Sequence, residues 1–268
     1  SHMSYRTGVT WTPAENSMIY LTHSVNNRAP VTRGLAEQQA LAAAGVTPPG
    51  DADSQQLMNT ELGTKLTLFD GRMQLEMAYI YSDWEDLPIW AELRLAPQPL
   101  TMTVGGTDAS VTMWELGFTL AVTENLTVNY AGAFTDAEVK SIPSDNVSGY
   151  PAAIREGGDL FNYAPATHNF GVNWDYTISG DWELFAAMNY VTRDRPDGIN
   201  VFDFVATDYV PARDQFENLS INVGARRGPW EFTIGVDNAT DFDGMYFPAT
   251  ANVPNGFLPA PRTVSFQV

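Results

Sequence analysis

Aromatic residues and arginines occur together in two polar, Pro/Gly-rich stretches of the sequence, 140–165 and 194–213. An arginine guanidinium pairs with anionic oxygens and stacks on aromatic rings, so such a set could bind an anionic ligand. The alternative is a small loop core with aromatic anchors at a membrane interface. The candidate ligand-binding residues are Tyr150, Arg155, Tyr163, Arg193, Arg195, Phe202, Tyr209 and Arg213.

Patterns typical of catalysis or metal binding do not occur in the sequence. There is no cysteine, and His2, His23 and His168 lack the HExxH spacing of a zinc site. The acidic runs at 51–53 and 241–244 begin like calcium loops but lack the glutamate required at the twelfth position. We therefore predict no catalytic residue, no metal site and no cofactor, and a protein that is not an enzyme.

The composition is unusual for a soluble domain. Charged residues make up 17% of the chain, well below the usual quarter, while aromatic residues make up 12%. A wall that faces hydrocarbon excludes charge and collects Trp and Tyr at its interfaces, which would explain both values. The formal net charge of -18 argues against nucleic-acid binding, because that requires a basic surface.

The elements that would hold the loop residues are strands with alternating polarity. Around 73–82, apolar Met73, Leu75, Met77 and Tyr79 alternate with polar or small residues. Similar alternation recurs around 114–120, 126–135, 169–176, 182–190 and 230–237. A period of two over about ten residues is typical of a transmembrane strand, and no window is apolar enough for a transmembrane helix.

The connections between these segments alternate in length. Short turns with Gly, Pro, Asn or Asp are expected near 13–16, 70–72, 123–125, 179–181 and 227–229. Long connections are expected at 26–58, 86–107, 140–165, 194–213 and 239–258, the first with a short helix over 35–44. The sequence therefore predicts an all-β fold, an antiparallel transmembrane β-barrel with short periplasmic turns and long extracellular loops.

The predicted strand count is odd. About eleven strands fit, with the first near 5–12 and the last near 260–268. Single-chain bacterial barrels have even numbers of strands, so an odd count suggests a piece of a larger barrel.

Several motifs resemble the C-terminal half of the barrel in TonB-dependent outer-membrane receptors. In family order they are Tyr5 to Trp11 followed by Met18 to Ser24, Arg28 to Pro30, Glu61 to Lys65, Phe69 to Arg72, Tyr79 to Trp84, Glu115-Leu116, Asn125 to Thr127, Val236 to Asp241 and Pro261 to Val264. The resemblance runs over nearly the whole chain and corresponds to the second half of a barrel of about twenty-two strands.

The resemblance implies one barrel segment over residues 1–268, surrounded by lipid in the outer membrane of a Gram-negative bacterium. It implies energy-coupled uptake of a scarce, bulky solute, with a ferric siderophore favoured and a cobamide or oligosaccharide possible. The family's plug domain is expected to be missing from this stretch, so contact with TonB would require that region. The alternatives are a plug-less passive pore, a structural barrel segment, or a soluble β-sandwich that binds carbohydrate.

Overall fold

A single antiparallel sheet contains the strands of the computed structural model, which describes residues 3–30, 34–43, 54–93, 100–142, 156–160, 163–178, 180–195, 215–244 and 259–268. Within these ranges, eleven strands follow one another in chain order, and each pairs antiparallel with the next. The strands are β1 (Tyr5–Ala14), β2 (Ser17–Arg28), β3 (Gln55–Leu68), β4 (Met73–Leu93), β5 (Leu100–Ala121), β6 (Leu126–Ser141), β7 (Ala166–Ile178), β8 (Trp182–Arg193), β9 (Phe216–Arg227), β10 (Trp230–Asp237) and β11 (Thr263–Gln267).

The predicted architecture is confirmed. The all-β class, the count of eleven and the positions of the first and last strands agree with the sequence pattern. A β-sandwich needs two packed sheets, whereas the described residues form one sheet, which is open, with β1 and β11 at its edges.

Tight turns join the strands at one end of the sheet, as the sequence predicts. Ala14 pairs with Ser17, and Leu68 pairs with Met73 across the next turn. Gly71 and Gly228 have φ values of 88° and 57°, which an L side chain rarely adopts. These turns leave the long connections to the opposite end.

A short helix, α1 (Leu35–Ala43), lies in the connection between β2 and β3, where the sequence predicts one. Among the described residues, no helix is long and apolar enough to cross a membrane.

The connection predicted at 86–107 is wrong in extent, because paired strands occupy most of it. β4 and β5 have 21 and 22 residues and remain paired as far as Leu93 and Leu100. Pro88 has no N–H to donate, and the ladder passes it with register shifts between Trp84 and Ile89. The proline therefore marks an irregularity in a long ribbon rather than the end of a strand.

The register places the large apolar residues on one face of the sheet. Residues directly opposite each other on paired strands share a face, so Tyr79, Trp114, Phe134 and Ala166 form one row across four strands. The ring centroids of Tyr79 and Trp114 lie 4.7 Å apart, yet Trp114 is 59% exposed. Aromatic residues that are paired on the sheet but open outward suit a lipid-facing wall. We call this the outer face.

Candidate functional site

The inner face, on the opposite side of the sheet, is polar. Its residues carry the other parity of each strand, and they include acids, amides and a few cations. Such a face can line an aqueous lumen but cannot face hydrocarbon. The polar set comprises Glu61, Lys65, Glu76, Glu115, Asn129, Asn169, Asn173, Asp175, Glu183, Asn189, Asn222 and Arg226.

A shallow hollow of about 380 Å³ lies on the inner face between β2 and β7. Two carboxylates, Glu76 and Glu115, and the ring of Tyr20 border it. The hollow is an acidic area of the wall without a cluster of converging groups. The other inner-face residues that line it are small or neutral: Ala78, Gly117, Ala131, Ala133, Thr167 and Asn169.

Two contacts fix the polar groups at the edge of this hollow. The Tyr20 hydroxyl donates to Glu61 Oε1 at 2.6 Å, and its ring lies over Gly63, where an added Cβ would stand 2.3 Å from it. Lys65 Nζ pairs with Glu76 Oε1 at 3.0 Å. The glycine thus leaves room for the tyrosine ring, and one of the bordering carboxylates is neutralised within the wall.

A second ion-pair group lies on the inner face near the tight turns. Arg226 contacts both oxygens of Glu183, with Nε to Oε2 at 2.8 Å and Nη2 to Oε1 at 3.1 Å. The same Nη2 approaches Asp175 Oδ1 at 3.4 Å. The planar fork of arginine is suited to this two-pronged contact, and the group links β7, β8 and β9.

Two of the histidines lie within strands on the outer face. His23 Nδ1 is 3.0 Å from Thr60 Oγ1, and His168 Nδ1 is 2.8 Å from the hydroxyl of Tyr130. Each imidazole thus has a partner on the neighbouring strand, while His2 lies outside the described residues. The part of the chain that the structure describes contains no group of three or more potential metal ligands.

A small apolar core packs against the sheet at the end opposite the tight turns. Residues 156–160 run back along β6, with Leu160 N donating to Ala137 O at 2.7 Å and a bridge between Glu138 and Asp159. Leu160 is only 3% exposed, and it packs with residues of β4, β5 and β6. We call this group the mouth core. Its other buried members are Leu87, Ala109, Val111, Ala137 and Val139.

The structure describes three of the eight predicted ligand-binding residues. Tyr163 packs against the mouth core, and burial raises the pKa of its hydroxyl above the ordinary value. Arg193 ends β8 on the inner face, opposite Thr167 of β7, and Arg195 follows it as an exposed residue. The other five lie outside the described residues: Tyr150, Arg155, Phe202, Tyr209 and Arg213.

The three described candidates lie at the ends of neighbouring strands. Tyr163 precedes the start of β7 at Ala166 by three residues, and Arg193 is the last residue of β8, which pairs with β7. All three therefore belong to the end of the wall that carries the long connections. Their contact with a ligand stays a prediction.

The alternation around 73–82 and 114–120 predicts a polar face that includes Glu76 and Glu115 but does not single them out as part of a site. The signal was present, because both are charged residues within strands, and charge is excluded from the face of a strand that contacts lipid. The mouth core gave no such signal, since Leu160 lies in a stretch without strand or helix periodicity.

The comparison with protein families identifies the family of proteins to which this sheet belongs. A family model described as "TonB dependent receptor-like, beta-barrel" matches residues 1–239. The chain belongs to the TonB-dependent receptor family. Members of this family are receptors and transporters, not enzymes, of the outer membrane of Gram-negative bacteria, and they bind siderophores and interact with TonB.

Solved structures share the fold of the chain at low sequence identity. The siderophore receptor PiuA from Acinetobacter baumannii matches 98% of the chain with a TM-score of 0.69 and 15% identity. The ferric yersiniabactin uptake receptor FyuA from Yersinia pestis matches 97% with a TM-score of 0.66 and 15% identity. The copper transporter OprC matches 97% with a TM-score of 0.65 and 17% identity.

The chain spans about a third of the length of these structures, with 35% of PiuA, 36% of FyuA and 38% of OprC covered. It corresponds to part of the barrel wall of such a receptor.

Proposed function

We propose that residues 1–268 form part of the barrel wall of an outer-membrane receptor that takes up a scarce, bulky solute with energy supplied through TonB, and that the solute is a ferric siderophore. The observation that carries the proposal is the family match over residues 1–239. Among the structures that share the fold, PiuA is named a siderophore receptor and FyuA a ferric yersiniabactin uptake receptor.

The inner face supports passage of a large solute. Small side chains at Ala78, Gly117 and Ala131 keep this part of the wall smooth. One of the two carboxylates at the hollow, Glu76, is paired with Lys65, which lowers its attraction for a passing ion. A wall with these properties would let a large solute pass along it without binding it tightly.

The end of the wall that carries the long connections supports recognition of an anion. Arg193 and Arg195 lie at that end of β8, in a chain whose formal net charge is -18. Cations there would offset the repulsion that the rest of the chain exerts on an anionic chelate. Tyr163, just before the neighbouring strand, adds an aromatic group.

Uptake assays on a strain that lacks the gene test the proposal. We expect loss of radioactive iron uptake from one class of ferric siderophore, restored by the gene and abolished when TonB is also deleted. Uptake that persists without TonB would indicate a passive pore. Normal uptake of every ferric siderophore, with a defect in copper or cobamide uptake instead, would overturn the choice of substrate.

A double variant tests the two arginines. Arg193→Gln combined with Arg195→Gln should raise the half-saturating siderophore concentration by about tenfold or more, since charge-assisted hydrogen bonds contribute about 1.5–3 kcal/mol and about 1.4 kcal/mol is a factor of ten. Arg262→Gln is the control, because it removes a positive charge from the same end of the wall, just before β11, where Arg262 pairs with Asp241 at 2.9 Å. Equal effects of both changes would refute a specific role for β8.

A further inference from the structure

The outer face has an apolar groove of about 610 Å³ over β7 to β11. Most of the residues that line it have the outward parity, and nearly all of the lining is apolar. Its lining combines bulky and small side chains: Trp174, Leu184, Phe232 and Phe266 together with Ala186 and Ala225.

A cation stands on the same face at the end of this groove nearest the tight turns. Arg227 lies two residues beyond Ala225 on β9, so both side chains point outward, and it pairs with Trp230 of β10. Its guanidinium carbon lies 5.9 Å from the centre of the Trp182 ring. Arg227 is exposed, and it forms no ion pair with any of the described residues.

The preceding residue shows the contrast. Arg226 points inward and is neutralised by Glu183 and Asp175. Arg227 points outward, so an anion that binds it must approach from the outer face of the sheet. At the periplasmic edge of a membrane wall, the anion present at high local concentration is the phosphate of a phospholipid headgroup.

We propose that Arg227 with Trp182 and Trp230 binds the phosphate of a glycerophospholipid from the periplasmic leaflet, whose acyl chain lies in the groove over Ala186 and Ala225. The tryptophans belong at the headgroup level, where their rings suit the interface. The guanidinium pairs with phosphate oxygens in its fork geometry. The lipid site depends on the orientation of the sheet in the membrane and not on the transported solute. The lipid-binding proposal and the siderophore-uptake proposal can therefore fail separately.

Native mass spectrometry of the detergent-purified receptor, titrated with phosphatidylglycerol, tests the site. We expect one tightly retained lipid per monomer, at least about tenfold weaker binding in Arg227→Gln, and recovery of most of the affinity in Arg227→Lys. Ala225→Leu, which fills the groove and keeps the cation, should also weaken retention.

The matched control is Lys140→Gln, which removes a positive charge from the outer face at the opposite end of the wall, where Lys140 pairs with Asp83 at 2.8 Å. It should leave the retained lipid unchanged. A folded-state mobility assay on denaturing gels establishes that each variant is a folded barrel before it is titrated. Unchanged retention in both Arg227→Gln and Ala225→Leu, or an equal loss in Lys140→Gln, would overturn the proposal.

Discussion

Replacing Asn238 by alanine removes the side chain that holds the connection between β10 and β11. Asn238 is 5% exposed and has a φ of 51°. Its Nδ2 donates to Phe242 O and Ala260 O, each at 2.9 Å, and its Oδ1 accepts from Phe242 N at 2.9 Å. One side chain at the end of β10 therefore ties both ends of this connection together.

The size of the effect follows from these contacts. Three hydrogen bonds at about 1 kcal/mol each contribute about 3 kcal/mol, and alanine in the left-handed region adds about 1 kcal/mol of strain. The local opening free energy should fall by about 4 kcal/mol in Asn238→Ala and by about 3 kcal/mol in Asn238→Gly, which tolerates the backbone. Asn238→Asp sets a carboxylate oxygen against the two carbonyl oxygens, so it should be at least as disruptive as alanine.

Hydrogen exchange of the receptor in detergent, followed by mass spectrometry over 236–244 and 259–265, measures this opening. Exchange should be faster by roughly 100-fold in the glycine variant and by close to 1000-fold in the alanine variant, since about 1.4 kcal/mol is a factor of ten. Asn189→Ala is the control, because Asn189 is exposed and donates to Asn169 Oδ1 at 2.7 Å, away from this connection. Unchanged exchange over these peptides in Asn238→Ala would refute the assigned role of the asparagine.

Three further outcomes follow from the described contacts. Gly63→Ala should destabilise the wall by about 1–3 kcal/mol by displacing the Tyr20 ring, whereas Gly117→Ala, with its nearest neighbouring atom 3.8 Å away, should be nearly neutral; folded mobility after stepwise heating compares them. Leu160→Ala should lower the stability of the mouth core by about 2–5 kcal/mol and so increase the rate of proteolysis within 156–165. Burial raises the pKa of Tyr163 above 10.0, so the packing of its neutral side chain contributes stability below that pH. This stability is lost as the pH rises through the raised pKa. Tyr163→Phe should remove the loss at alkaline pH, measured as the rate at which an alkaline protease cleaves 156–165.

The wall itself was predictable from the sequence because its physics is local. Alternation at Leu126, Val128 and Tyr130 assigns the faces of β6 without knowledge of its neighbours, since side chains point to opposite sides of a strand. Turn residues such as Gly71 and Gly228 also mark the hairpins locally, because the positive φ of these turns favours glycine. Strand number and order then follow from the connections.

The features that sequence reasoning missed depend on contacts between distant residues. Leu160 has no periodic neighbours in its own stretch, and only its bonds to β6 make it part of a core. The length of the β4–β5 hairpin was misjudged for a related reason, because pairing carries the strands past Pro88. Arg226 and Arg227 are adjacent in sequence, yet their partners are separated by the thickness of the sheet.

The length of the β4–β5 hairpin has a consequence outside the membrane. In an outer membrane, where the family resides, a tilted strand crosses the bilayer with about 9–11 residues, so roughly half of each of these strands, on the order of 30 Å of paired ribbon, would extend beyond the surface. Antibodies or phage approaching the cell would meet this ribbon ahead of the shorter strands around it. An epitope inserted between Leu93 and Leu100 should therefore be displayed to the medium on intact cells.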